Sequence, residues 1–170
     1  MRRGARVYTI ESLNKADVEQ FTLVLGEIFE KSPWIAKVTA KSRPFESKDA
    51  LYNHMVEIVK QANNEQHLQL INNHPSLGER VQMSDYSTKE QQQAGLHGLT
   101  EEEYLNFVNV NEAYIEKFGF PFIIAVRGKT KDEIYQSMLM RLEHEPQEEL
   151  HNALTQIYAI AKFRLDEIIS

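Results

Sequence analysis

His74 is the side chain whose place in the sequence best suits proton transfer. It precedes Pro75 and follows Asn72-Asn73 at the end of a predicted helix. A residue before proline is pushed out of the helical conformation, so the imidazole is held on extended backbone with a defined orientation. An unperturbed histidine titrates near neutral pH, which suits a general acid or base. The alternative is a helix-terminal histidine that interacts with the last carbonyl groups of its helix.

A second group of reactive side chains stands in the first turn of another predicted helix. The run Ser87-Thr88-Lys89-Glu90-Gln91 supplies a hydroxyl, a carboxylate and a carboxamide. Free backbone N–H groups at a helix start can also bind an anion or a carbonyl oxygen. Ser87 and Glu90 have the spacing of a capping box, as do Thr100 and Glu103. On pattern alone, helix capping is therefore the favoured interpretation.

Two further features are able to hold a ligand. Residues 118–126 place three aromatic residues, a glycine and a proline before four apolar residues. Backbone groups of such a stretch need hydrogen-bond partners, from the protein or from a ligand. Arg164 lies among apolar neighbours near the end of the last predicted helix, where a guanidinium can clamp a carboxylate. The alternatives are core packing for the stretch, and a helix-dipole or surface ion-pair role for Arg164.

The elements that would position these residues are almost all helical. Apolar residues recur at three- and four-residue steps along most of the chain, and capping residues and prolines indicate where helices begin and end. Ser32-Pro33 is expected to end the first helix, and the last runs to Leu165. The predicted helices begin at or near Ser12, Ser47, Glu65, Ser87, Thr100, Thr130 and Pro146.

One stretch departs from the helical pattern. Residues 123–126 are four consecutive apolar residues, predicted to form a buried strand or a buried extended segment. No repeat, linker or low-complexity tract marks a domain boundary. The sequence therefore predicts an all-α, single-domain helical bundle over residues 1–170, with about six to seven helices and one short extended apolar segment.

Composition excludes several functional classes. The 170 residues include no Cys, which rules out disulfides, thiolate metal sites and a cysteine nucleophile. A net charge of −6, with Lys and Arg scattered among acids, argues against nucleic acid. No apolar run approaches the ~20 residues that span a bilayer. No acid completes a metal site with His144 and His151. We therefore expect a cytoplasmic protein with no metal, no membrane and no nucleic-acid partner.

Taken together and in this order, the segments resemble the family of 2-oxo-4-hydroxy-4-carboxy-5-ureidoimidazoline (OHCU) decarboxylases. The resemblance runs along nearly the whole chain. It is closest to the N-terminal decarboxylase domain of bacterial bifunctional urate-degradation proteins, in which such a domain precedes urate oxidase. The matching segments are Arg43-Pro44-Phe45, His74-Pro75-Ser76-Leu77-Gly78, Ser87-Thr88-Lys89-Glu90-Gln91, Ala94-Gly95-Leu96, residues 118–126 and residues 161–165.

The resemblance implies a cofactor-free carboxy-lyase that converts OHCU to (S)-allantoin and CO2 stereoselectively, in urate degradation. It also implies an all-helical fold, frequent homodimers, a small ureidoimidazoline substrate and a fused or associated urate oxidase domain. By this resemblance, His74, Glu90 and Arg164 are the catalytic residues. The positions that match substrate-contacting segments are Pro75, Ser87, Thr88, Lys89, Glu90, Gln91, Phe122, Ile123, Ile124, Ala125 and Val126.

Two other functions stay open at this point. One is a non-catalytic helical module that binds a ligand or assembles a ureide-pathway protein. The other is a different small hydrolase or lyase that acts on a related ureide. The presence of His74, Glu90 and Arg164 together favours the enzyme, because a binding relic would be free to lose them.

Overall fold

A computed structural model describes residues 7–74 and 99–170. Within these ranges the regular structure is α-helical, apart from an isolated parallel bridge between Tyr8 and Ile169. The predicted all-α class is confirmed. No helix in these ranges is both long and apolar enough to cross a membrane. The helices are α1 (Ile10–Lys15), α2 (Val18–Leu25), α3 (Pro33–Ala40), α4 (Lys48–Lys60), α5 (Asn64–Asn73), α6 (Glu101–Phe118), α7 (Lys131–Leu142) and α8 (Pro146–Ile168).

The first predicted helix is two helices in the structure. Thr9 is the N-cap of α1, and Ser12, the third residue of this helix, completes a capping box in which each side chain accepts the other's backbone N–H. Asp17 then caps α2 by accepting the N–H of Gln20 at 2.7 Å. Aspartate is as strong an N-cap as serine, so a second helix start interrupts an otherwise helical pattern.

Pro33 begins a helix and does not end one, because α2 ends at Leu25, before the predicted helix end at Ser32-Pro33. It lies at the start of α3, where its missing N–H costs no hydrogen bond. Lys31, just before it, has a positive φ of 50°, a left-handed conformation that residues with a side chain rarely adopt. The division of α1 from α2 and the addition of α3 give eight described helices. The helix predicted from Ser87 lies outside the described residues.

The helices are arranged in two compact units. The first contains residues up to 70 together with 158–170, and the second contains 71–157. In the first unit α3 packs against both α2 and α4, and in the second α6 packs against α7. The assignment of residues 1–170 to one domain stays a prediction. Fully buried core residues of the first unit include Phe21, Leu25, Ile35, Leu51 and Met55, and those of the second include Tyr114, Phe122, Ile134, Met138 and Ala153.

Arg43 connects the ends of two helices in the first unit. Its Nη1 donates to the carbonyl oxygen of Leu13 at 2.9 Å and to that of Ala16, and its Nε donates to that of Ala40 at 3.0 Å. The guanidinium also lies 4.9 Å from the ring centroid of Phe21. Carbonyl groups at helix ends have no partner within the helix, so one side chain satisfies the ends of both α1 and α3.

We expect Arg43→Lys to lower the free energy of unfolding by about 2 kcal/mol, because an ammonium group cannot replace three guanidinium hydrogen bonds in fixed directions. Urea denaturation followed by circular dichroism measures the difference. The control is Lys15→Ala, which removes an exposed pair with Glu11 on α1 and should change stability by less than about 0.5 kcal/mol. Equal stability of Arg43→Lys and the wild type would contradict this role.

Candidate functional site

His74 lies at the end of α5 and is buried, with 6% of its surface exposed. Helix α5 ends at Asn73, which confirms the predicted break before the His-Pro pair. The backbone N–H of His74 donates to the carbonyl oxygen of Ile71 at 3.2 Å. Pro75 lies outside the described residues. The burial of His74 supports a role inside the protein rather than on its surface.

The apolar stretch after α6 is buried and forms neither helix nor strand. Helix α6 ends at Phe118, followed by Gly119 with a φ of 81°, where any other residue would be strained. The predicted buried, non-helical segment is therefore confirmed. Each of its residues has 8% or less of its surface exposed: Phe122, Ile123, Ile124, Ala125 and Val126.

Side chains from two helices hold the backbone of this segment. Nη1 of Arg141, in α7, donates to the carbonyl oxygen of Ile123 at 2.7 Å. Oε1 of Gln156, in α8, accepts the N–H of Ala125 at 2.9 Å. Buried peptide groups outside regular structure need such partners. The segment is therefore fixed by long side chains rather than by a neighbouring strand.

Arg141 belongs to a buried polar cluster that was not predicted from the sequence. The carboxylate of Glu149 is fully buried, and its Oε1 accepts from Nε of Arg141 at 2.9 Å and from the hydroxyl of Tyr114 at 2.5 Å. Its Oε2 lies 2.8 Å from Nδ1 of His144 and accepts from Nδ2 of Asn152 at 2.8 Å. All four partners lie in the second unit.

A weak signal for this cluster is present in the sequence. Arg141 follows Ile134 and Met138 at steps of four and three residues, so it occupies a core-facing position of α7. A charged residue on an apolar stripe indicates a buried partner, because a buried charge is costly unless it is paired. The pattern does not identify that partner as Glu149.

The cluster sets the protonation states of Glu149 and Tyr114. Burial by itself raises the pKa of Glu149, but hydrogen bonds from Tyr114 and Asn152 and the charge of Arg141 outweigh burial and hold the pKa below its usual 4.5. Burial, and then the hydrogen bond to the Glu149 carboxylate, raise the pKa of Tyr114. At neutral pH the carboxylate is therefore charged and the phenol is a hydrogen-bond donor.

Arg164, in α8, forms a buried ion pair within the first unit. Its Nη2 lies 3.1 Å from Oε1 of Glu30, and each side chain is only 1% exposed. Its Nη1 donates to the carbonyl oxygens of Ile28 at 3.3 Å and Glu27 at 3.4 Å, in the loop between α2 and α3. The structure thus contradicts a surface role for Arg164 and adds Glu30, which the sequence gave no means of finding.

The structure describes only part of the predicted site. His74 and residues 122–126 belong to the second unit, whereas Arg164 belongs to the first. The meeting of His74, Glu90 and Arg164 in one pocket therefore stays a prediction. Among residues 7–74 and 99–170, no group of three or more His, Asp or Glu is placed to hold a metal ion. The predicted residues outside the described ranges are Pro75, Ser87, Thr88, Lys89, Glu90 and Gln91.

These observations define an all-α protein with a buried non-helical segment fixed by side chains, and with a histidine and an arginine buried in its helical units. A model of the OHCU decarboxylase family matches residues 14–166. The chain belongs to this family.

Relatives with named functions support the assignment. The chain is 49% identical over 164 residues to the uric acid degradation bifunctional protein PucL of Bacillus subtilis, covering 96% of this chain and 33% of that protein. It is 42% identical over 160 residues to a 2-oxo-4-hydroxy-4-carboxy-5-ureidoimidazoline decarboxylase of Halalkalicoccus jeotgali, covering 94% and 91%. The chain spans about a third of the length of PucL and of a second Bacillus protein described as bifunctional in uric acid degradation.

Solved structures show the same fold. The structure is similar to a crystal structure of (S)-allantoin synthase, with a TM-score of 0.79 and 30% identity, covering 95% of this chain and 54% of that one. It is also similar to a crystal structure of OHCU decarboxylase in the presence of (S)-allantoin, with a TM-score of 0.69 and 26% identity, covering 89% and 97%.

We expect Tyr114→Phe to lower the free energy of unfolding at pH 7 by about 1–2 kcal/mol, because Glu149 loses a buried donor. Stability from a carboxyl with a depressed folded-state pKa is complete above the usual 4.5 and is lost as the pH falls through the folded-state value. The substitution raises that pKa, so acid unfolding should begin at a higher pH. Urea denaturation at pH 7 and acid titration by circular dichroism test both effects.

The matched control is Tyr104→Phe, which removes a hydroxyl from a residue of α6 that is 38% exposed. Its stability and acid midpoint should equal those of the wild type. An acid midpoint of Tyr114→Phe at or below the wild-type value would contradict the conclusion that the Tyr114 hydrogen bond lowers the pKa of Glu149.

Proposed function

We propose that this chain decarboxylates OHCU to (S)-allantoin and CO2, without a cofactor, in urate degradation. Membership of the OHCU decarboxylase family over residues 14–166 is the observation that carries the proposal. The names of the relatives from Halalkalicoccus jeotgali and Haloferax volcanii, of which this chain covers more than nine tenths, support it.

The chemistry of the substrate explains why few protein groups suffice. In OHCU the carbon that bears the carboxylate also carries a hydroxyl and adjoins a C=N unit. When CO2 leaves, the bonding electron pair moves into that unit and its nitrogen takes a proton. The ureido-bearing carbon then takes a second proton, and the hydroxyl becomes a carbonyl by losing one, so that one proton is taken up overall. The substrate thus supplies its own electron sink. The protein must orient the carboxylate, move protons and select one face for protonation.

The three predicted catalytic residues and several of the predicted substrate-contacting residues have a role in this scheme. We assign proton transfer to His74, whose imidazole interacts with the substrate hydroxyl. Glu90 holds the imidazole or that hydroxyl. Ser87, Gln91 and the backbone of residues 122–126 bind the urea-like N–H and C=O groups. The burial of His74 supports its assignment, because side reactions with bulk water are reduced there.

Arg164 docks the substrate carboxylate in this proposal. Its ion pair with Glu30 weakens the binding of the substrate carboxylate, because the neighbouring carboxylate partly neutralises the guanidinium. A fully uncompensated guanidinium would bind the ground-state carboxylate too tightly and slow its departure as CO2. We therefore assign Arg164 to positioning rather than to driving the reaction.

We extend the proposal to the assembled protein. The chain spans about a third of PucL, which is named as a bifunctional protein of uric acid degradation. This supports a fused or associated urate oxidase domain that would supply the precursor of OHCU. Homodimer formation and a cytoplasmic location complete the proposal.

The direct experiment follows circular dichroism of OHCU generated freshly from urate, with and without the protein. We expect faster conversion than the spontaneous decay, and accumulation of optically active (S)-allantoin instead of a racemate. A non-catalytic module would leave both the rate and the racemic product unchanged, and a different lyase or hydrolase would give another product. Either result would contradict the proposed function.

We expect His74→Ala to lower kcat by about 100-fold or more, the usual contribution of a positioned acid or base. The remaining product should lose optical purity, because spontaneous protonation does not select a face. His151→Ala is the control, since His151 is an exposed histidine of α8. Optically pure product at a near-normal rate would rule out His74 as the proton carrier.

We expect Arg164→Lys to raise KM for OHCU by about tenfold, because lysine keeps the charge beside Glu30 but cannot bind a carboxylate in bidentate geometry. Initial rates over a range of substrate concentrations measure KM, and a thermal melt monitors the fold. An unchanged KM in the folded variant would remove Arg164 from the carboxylate site.

A further inference from the structure

Arg141 and Gln156 hold the two peptide groups on either side of Ile124. The guanidinium binds the carbonyl oxygen of Ile123 at 2.7 Å, and the carboxamide oxygen binds the N–H of Ala125 at 2.9 Å. We propose that Arg141 and Gln156 are positioning residues that aim the backbone N–H and C=O of Ile124 at the ureide group of the substrate. This inference rests on the proposed function and adds two residues to its machinery.

The planarity of the peptide bond carries the argument. The carbonyl of Ile123 and the N–H of Ile124 belong to one trans peptide group, and they point in opposite directions. The carbonyl of Ile124 and the N–H of Ala125 belong to the next group. A hydrogen bond to the C=O or the N–H of a peptide group therefore also fixes the direction of the other polar group in the same plane. For these two peptide groups, the other polar groups are the N–H and the C=O of Ile124.

The Arg141 anchor is itself held rigidly. Its Nε donates to the buried carboxylate of Glu149 at 2.9 Å, and its guanidinium lies 4.4 Å from the ring centroid of Phe122. Tyr114 packs edge-on against the same ring, with centroids 5.3 Å apart. The guanidinium therefore cannot move away from the carbonyl of Ile123 without breaking these contacts.

The attraction between the two charges of this buried ion pair is not what distinguishes Arg141 from an apolar residue at this place. Replacing such a pair by apolar residues of similar volume is often neutral or stabilising, because the cost of desolvating two charges offsets their attraction. An apolar side chain, however, cannot bind a carbonyl oxygen. The planar guanidinium serves Glu149 and the carbonyl of Ile123 at once, in fixed directions. This geometry favours a positioning role for Arg141.

The chemistry of the ligand follows from the two backbone groups of Ile124 that Arg141 and Gln156 orient. A backbone N–H and C=O on one residue match the C=O and N–H of an uncharged urea-like group, and they offer nothing specific to a carboxylate. The segment would therefore recognise the ureide part of the substrate. Sites built to hydrogen-bond a substrate reject analogues that lack the matching group, because buried polar groups are then left unpaired.

Two variants remove the anchors while keeping the shape of the side chains. Gln156→Met preserves length without an oxygen acceptor. The double variant R141M/E149Q removes the guanidinium without leaving an unpaired buried carboxylate, and Gln at 149 still accepts from Tyr114. Thr155→Ala is the control, because it alters an exposed neighbour on the same helix. Thermal melts confirm that each variant is folded.

Steady-state kinetics with fresh OHCU separates positioning from mere destabilisation. We expect both anchor variants to raise KM by about tenfold with kcat nearly kept, as the loss of one hydrogen bond in uniform substrate binding predicts. A substitution that only reduces the fraction of folded protein would lower the apparent kcat and leave KM unchanged. Hydrogen exchange of the Ala125 amide should accelerate in Gln156→Met and stay at the wild-type rate in Thr155→Ala.

The outcomes distinguish the two proposals. Wild-type KM in both folded anchor variants, or an unchanged exchange rate of the Ala125 amide in Gln156→Met, overturns the positioning role and leaves the decarboxylase in place. A wild-type protein that neither accelerates the decay of OHCU nor gives optically active product overturns the proposed function, and with it the substrate assigned to Ile124.

Discussion

The constraint on which much of this structure depends is the hydrogen bonding of buried peptide groups that lie outside any helix. Residues 122–126 are buried, yet no helix or strand within the described residues supplies their backbone partners. A buried, unpaired peptide group costs about as much as a lost hydrogen bond. Arg141 and Gln156 meet part of this requirement, so the segment depends on α7 and α8 for its conformation. The position of these helices is thereby connected to the backbone that the family resemblance assigns to substrate binding.

Arginine side chains also bind backbone carbonyl groups elsewhere in the protein. Arg43 binds carbonyl groups at the ends of α1 and α3, Arg141 binds that of Ile123, and Arg164 binds two in the loop after α2. A guanidinium carries five donors in one plane, so it can serve a carboxylate and several carbonyl groups together. In an acidic chain of net charge −6, these cations, of which Arg141 and Arg164 are buried and Arg43 is half-buried, bind helix ends and irregular backbone.

The electrostatics suit a reaction in which the substrate carries its own electron sink. Arg164 is paired with Glu30, and Glu149 is held ionised by Arg141 and by neutral donors, so the buried charges of both units are balanced locally. In the proposed function, a guanidinium whose charge is balanced by its own carboxylate partner orients the substrate carboxylate without trapping it, which matters when that group must leave as neutral CO2. Stereochemical control in the proposed function would depend on where His74 delivers or removes its proton.

The sequence by itself determined the local features, because these depend on neighbouring residues. The capping box at Thr100, the helix starts at Ser47 and Thr130, the break after Asn73 and the buried stretch at 123–126 all follow from short-range patterns and occur as predicted. The second helix start at Asp17, the end of α2 at Leu25 and the helix from Pro33 were missed, because the buried residues Ile28 and Phe29 continue the helical spacing of apolar residues into the loop after α2. Only tertiary structure decided which side chains meet: Arg164 reaches the carbonyl of Ile28 across 136 residues, and Arg141 selects Glu149 and Ile123. Such partners are set by how helices pack, and helical periodicity shows which face is buried without showing what it is buried against.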